Sequence, residues 1–276
     1  MLGLSMQEWT DCQCGEEVAI HATDRWSFLF RGGFPALWAN PLNPLDRDRW
    51  YQSYISTYLE RDLRALLRVG NLRDFERFLR VCAARCSQTL NMSEIGRDVG
   101  ISATTAREWI SVLQASNIIF LLEPYYRSLG KRLVKTPKLY FTDTGLVTYL
   151  MGFRSQESMR TGNAIGALWE NHVVNQWLRW RDWQMPAASL WYWRDQSGNE
   201  VDLLIELDGQ LQAIEVKLTE RPGGRDLRGL RALQRFYGPA SIASAKIACT
   251  TQQSFVVSEG VVAVPGDEGG HFKLSP

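Results

Sequence analysis

No apolar run in this chain approaches the roughly 20 residues needed to cross a bilayer, so no membrane partner is expected. Charge of one sign is also missing. With a formal net charge of +1 the composition gives no global mark of a nucleic-acid binder, and any such surface must come from local segregation of charge. Cysteines number five, an odd set, and without a leader peptide at the start they predict reduced thiols in a cytoplasmic protein. Cys12 and Cys14 with His21 have no convincing fourth ligand, which argues against zinc. A phosphate-cradling G-x-x-x-x-G-K-[ST] loop is absent too. Gly130-Lys131 is followed by Arg132, with Tyr125 where the first glycine should stand, and neither Gly223-Gly224 nor Gly269-Gly270 is followed by lysine and a hydroxyl residue. Binding or hydrolysis of ATP is therefore not expected.

What is present is an ordinary globular composition, 45% hydrophobic and 22% charged over 276 residues, long enough for two modest domains. Tryptophans crowd one region (Trp177, Trp180, Trp183, Trp191, Trp193) and read as core. From Asp46 to about Val69, apolar residues recur at helical spacing, with Gly70 as the stop. Residues 72 to 118 read as three helices: one carrying Phe75, Phe78, Leu79 and Cys82; a short one capped by Ser93 and closed by Gly100; and one starting at Ser102, with Trp109, Ile110 and Leu113 inward. A short helix, a glycine turn and a helix opened by small hydroxyl residues form the helix-turn-helix pattern, leaving Thr104, Thr105, Arg107 and Glu108 to face a groove. Strand candidates at 118–122 and 139–141 then flank Arg127, Lys131, Arg132, Lys135 and Lys138. This acid-free stretch concentrates positive charge where a wing would meet DNA phosphate, although a solvated turn or a protein-docking module is the alternative.

The densest chemistry follows. Asn199 to Glu206 and Ile214 to Lys217 are strand-like runs joined through Asp208-Gly209, a hairpin signal. Glu215 and Lys217 share one strand face, and a register that pairs the strands brings Asp202 beside Glu215. Carboxylates so placed suit a hard cation such as Mg²⁺, and a lysine beside them can orient a water or offset charge on a phosphate. On an upstream helix Glu170 borders the packed face with Val173, Val174 and Trp177. The pattern resembles the PD-(D/E)XK nuclease superfamily. By that resemblance Asp202, Glu215 and the Val216 carbonyl would hold the metal, Glu170 would assist and Lys217 would position the attacking water. Val201, in place of proline, precedes Asp202. An α-β-β-β-α-β order over Glu170 to Val264 implies an α/β sandwich with a mixed sheet.

A wider set of motifs runs in order along the chain: Gly32-Gly33-Phe34-Pro35, Tyr58-Leu59-Glu60-Arg61-Asp62, the helix-turn-helix, Pro137 to Leu146, Glu170-Asn171, Glu200-Val201-Asp202 and Glu215-Val216-Lys217. Together they resemble the C-terminal part, domain of unknown function 4143, of bacterial and archaeal AAA-type ATP-binding proteins, in which an ATPase module precedes the Gly-Gly-Phe-Pro segment. That resemblance implies a linker at 1–45, a winged helix-turn-helix domain at 46–142, a nuclease-like domain at 143–276, and an AAA-type ATPase as a possible partner. The function expected is DNA binding with possible Mg²⁺-dependent phosphodiester hydrolysis. The alternatives are a non-catalytic DNA- or protein-binding adaptor and a transcription regulator.

Overall fold

A computed structural model describes residues 24–38, 44–58, 72–126, 135–184 and 187–267. Two compact units interleave along the chain. The first takes the residues up to Leu121 together with Leu139–Leu168, and the second takes Leu122–Lys138 together with everything from Trp169 onward. The sequential boundary expected at 142/143 does not coincide with this division.

The first unit opens with α1 (Arg25–Arg31), α2 (Pro44–Tyr58) and α3 (Leu72–Ala84). Phe75 and Phe78 of α3 set their rings edge-on to Trp109, 5.1 and 5.2 Å away. A two-residue strand, β1 (Gln88–Thr89), leads into α4 (Met92–Val99), α5 (Ala103–Ala115) and β2 (Ile119–Leu122). Asn91, not Ser93, caps α4: its side chain accepts from the Ser93 and Glu94 amides. The oxygen must stand one residue before the helical dihedrals begin, and Asn91 is the extended residue there. Gly100 adopts φ 89°, which ends α4 in the left-handed region. Ser102 caps α5, accepting from the Thr105 amide. On α5, Ala106, Trp109, Ile110 and Leu113 are buried while Thr104, Arg107 and Glu108 are exposed. β3 (Lys138–Phe141) lies between β1 and β2 in a three-stranded sheet, and α6 (Thr144–Leu150) and α7 (Gln156–Arg160) follow.

The Gly-Gly-Phe-Pro and Thr-Asp-Thr-Gly motifs meet in this unit. The buried carboxylate of Asp143 accepts from the Gly33 amide at 2.7 Å, the Tyr51 hydroxyl at 2.8 Å and the Leu146 amide at 2.8 Å. A Cβ on Gly32 would fall 2.3 Å from Asp143 Oδ1, and one on Gly145 would fall 2.2 Å from the Tyr51 oxygen. These glycines let three chain segments close on one carboxylate, so the motif residues are accounted for structurally. Glu60, Arg61 and Asp62, the end of the helix expected to reach Val69, and the cysteine pair near the N-terminus lie outside the described residues.

The second unit holds the body of α8 (Ile165–Gln184) and a six-stranded mixed sheet. Its strands are β4 (Ser189–Arg194), β5 (Glu200–Leu207), β6 (Gln210–Val216), β7 (Ile242–Cys249), β8 (Phe255–Ser258) and β9 (Val261–Pro265), in spatial order β4-β5-β6-β7-β9-β8. The β4–β5, β5–β6 and β8–β9 pairs are antiparallel, and β6–β7 and β7–β9 are parallel. Asp208 and Gly209 make the expected tight turn at φ 51° and 74°. The α9 helix (Arg228–Tyr237) makes the crossover between β6 and β7, and its Leu230 and Leu233 pack on Ala213, Ile247 and Ala263. Trp193 is fully buried without a hydrogen-bond partner for its indole N–H, and Trp183 is 79% exposed, so neither fits the expected core tryptophan with its N–H satisfied. No helix among the described residues is long and apolar enough to cross a membrane.

Candidate functional site

Period-two geometry sets the site. Leu203 pairs with Ile214, so one step along the same register sets Asp202 opposite Glu215. Asp202 Oδ2 accepts from the Val216 amide at 2.8 Å. Lys217 Nζ donates to Glu215 Oε1 at 2.6 Å. Asp202 and Glu215 are 7% and 6% exposed, which for ionisable side chains requires compensating charge. Burial pushes the Glu215 carboxyl well above the ordinary range, and the Asp202 charge pushes it further. For Lys217, burial works against the charged form, but Glu215 and Asp202 outweigh it and raise the ammonium above its usual value. Glu215 Oε2 is buried without a hydrogen-bond partner. It faces α9 at Gly229, where a Cβ would lie 2.9 Å from it and 1.8 Å from the Glu200 carbonyl oxygen.

Lys138 stands elsewhere than expected. Grouped in the sequence with the wing cations, it is 2% exposed. Its Nζ donates to Glu170 Oε1 at 2.5 Å and Glu200 Oε1 at 2.7 Å, and lies 3.7 Å from Asp202 Oδ1 and 5.8 Å from the Tyr192 ring centre. A buried ammonium with such partners is not available to a phosphate. The connection between β2 and β3 is likewise no free hairpin. The Tyr125 amide donates to the Tyr192 carbonyl at 2.7 Å, the Tyr192 amide donates to the Glu123 carbonyl at 3.0 Å, and the Tyr192 hydroxyl donates to the Thr136 carbonyl. The chain entering Lys138 is thus tied to β4 within the second unit. Lys135 is exposed, and Arg127, Lys131 and Arg132 lie outside the described residues.

The structure therefore brings Glu170, Asp202, Glu215 and Lys217 into one cluster and adds members. Glu200 joins, bridging Lys138 and Arg194, whose Nη1 lies 3.3 Å from Glu200 Oε2. Period two along β5 was the available signal, because Glu200 and Asp202 share a face. Four acids (Glu170, Glu200, Asp202, Glu215) face three cations (Lys138, Arg194, Lys217). As arranged, these residues do not fit a divalent ion. Among the described residues no group of three or more His, Cys, Asp or Glu side chains could hold a metal. The place between Glu170, Glu200 and Asp202 belongs to an ammonium, and Lys217 occupies Glu215 Oε1. Of the helix-turn-helix residues, Thr104 and Arg107 are exposed, whereas Thr105 is half-buried and its hydroxyl lies 2.8 Å from Ser102 Oγ within the α5 cap.

Comparison with known proteins fits this division into parts. Residues 165–268 match the family model described as domain of unknown function DUF4143, and residues 23–157 match domain of unknown function DUF8612. The chain is also similar to uncharacterized protein Mb2031c of Mycobacterium bovis and uncharacterized protein Rv2008c of Mycobacterium tuberculosis. Each is 30% identical over 252 residues, covering 91% of this chain and 54% of the relative. The chain thus spans about half the length of the curated relatives it matches. No solved structure matches.

Proposed function

We propose that the chain is a DNA-binding adaptor: a helix-turn-helix of the winged-helix kind, joined to a nuclease-like unit whose acid cluster serves as a charge-neutralised scaffold and not as a hydrolytic centre. For the first part, the order α3-β1-α4-α5-β2-β3 with sheet order β1-β3-β2 resembles a winged helix, and α5 turns Thr104 and Arg107 to solvent. For the second, the carrying observation is Lys138, whose ammonium sits 2.5 and 2.7 Å from Glu170 and Glu200. Three resident cations leave the cluster little net charge with which to attract a divalent ion. The motif resemblance suggests an AAA-type ATPase as the partner that such an adaptor would serve. Mg²⁺-dependent phosphodiester hydrolysis at Glu170, Asp202, Glu215 and Lys217 is the second reading, favoured by the unpartnered Glu215 Oε2.

One titration with two readouts tests both parts. A fluorescently labelled duplex is titrated with the chain at several salt concentrations, and supercoiled plasmid is incubated in parallel with Mg²⁺ or Mn²⁺. Binding should weaken as salt rises, and Arg107→Ala should weaken it by roughly fivefold or more. Affinity indifferent to salt and to Arg107→Ala rejects DNA binding. Metal-dependent nicking that disappears in Asp202→Ala rejects the scaffold and installs hydrolysis in its place.

A further inference from the structure

We infer that Lys138 is a built-in substitute for a divalent metal: it excludes hard cations from the space among Glu170, Glu200 and Asp202, and loss of this one ammonium turns that space into a divalent-cation site. The inference deepens the scaffold reading and is independent of DNA binding.

Three carboxylates from two elements, α8 and β5, surround Nζ. Lysine presents a compact point charge with three donor hydrogens, two of which are used by Glu170 and Glu200, with Asp202 further off at 3.7 Å. Mg²⁺ or Ca²⁺ in the same place would need oxygens at about 2.0–2.6 Å. An ion drawing on these carboxylates would therefore compete with the ammonium for both volume and charge. The ammonium is also held from behind. Thr136, two residues upstream, accepts from the Tyr192 hydroxyl, and Tyr125 and Glu123 are bonded along β4. No other cation of the cluster is free to take over, since Lys217 is engaged with Glu215 at 2.6 Å and Arg194 with the far oxygen of Glu200 at 3.3 Å. Removing Lys138 leaves three converging carboxylates with no charge between them, the donor set that a hard divalent ion prefers.

The test is thermal unfolding of the full chain with and without Mn²⁺, matched for ionic strength, in wild type, Lys138→Met and Lys138→Met/Glu170→Gln. Wild type should show no saturable shift. Lys138→Met should melt lower and recover with Mn²⁺ along a saturation curve, by roughly 5–10 °C at saturating metal. The double variant, with one acid fewer, should lose most of that response. A saturable rise in wild type as large as in Lys138→Met, or no rise in a folded Lys138→Met, overturns the inference. Should Lys138→Met fail to fold, water-proton relaxation with Mn²⁺ on the wild-type chain decides. Absence of a site at micromolar Mn²⁺ supports exclusion, and a site that Asp202→Asn abolishes refutes it. DNA affinity on the same samples reports separately on the adaptor reading.

Discussion

At the residue scale, Gly229 carries the tightest constraint around the cluster. Alanine has the higher helix propensity by about 1 kcal/mol, so on that ground alone Gly229→Ala should stabilise α9. Sterics point the other way, because the added methyl would fall 1.8 Å from the Glu200 carbonyl oxygen, which is backbone and cannot turn aside. Overpacking of this kind costs about 1–3 kcal/mol. Urea unfolding of Gly229→Ala should show a net loss, and a variant as stable as the parent would mean that α9 does not press on β5 as described. Lys138 shows where sequence reading stops at this scale. Its neighbours in the chain are cations, which made it look like part of a wing. The acids that claim it lie 32 and 62 positions away, and nothing local signals its burial.

At the scale of elements, much was legible because the signals were local. Asp208-Gly209 named the hairpin and its register, since both positions need positive φ and the pattern of two faces fixed which residues pair. Gly100 and Ser102 marked the turn of the helix-turn-helix for the same reason. The α4 cap was misplaced by two residues, because Asn91 and Ser93 are both good capping residues and only the backbone conformation decides between them. Mutation separates them: Asn91→Ala should cost about 1 kcal/mol of stability, and Ser93→Ala, exposed and already inside the helix, should be near neutral in the same denaturation assay. The two-residue β1 and the edge strand β8 carried too little periodicity to be read, and the sheet's mixed order depends on the α9 crossover more than on any strand's own sequence.

For the whole molecule, the expected domain boundary failed because compact units need not be continuous in sequence. Linkers can be guessed from composition, but the assignment of residues 122–138 depends on hydrogen bonds to β4, partners found some 70 positions downstream. A fragment starting at residue 143 lacks Lys138 and Thr136, leaving Glu170, Glu200 and Asp202 uncompensated. Circular dichroism and cooperative urea unfolding should find it unstable at neutral pH, whereas the full chain unfolds cooperatively; equal cooperativity in the short fragment would refute the division. Interleaving also sets an order of events during synthesis. The ribosome releases Lys138 well before Glu170 and longer still before Glu200, so this ammonium waits in water for the carboxylates that will bury it. The three-stranded sheet containing its own strand can meanwhile assemble around its neighbours. Folding of the acid pocket is thereby deferred until translation has passed β5, and the last step in its maturation is the dehydration of a single lysine.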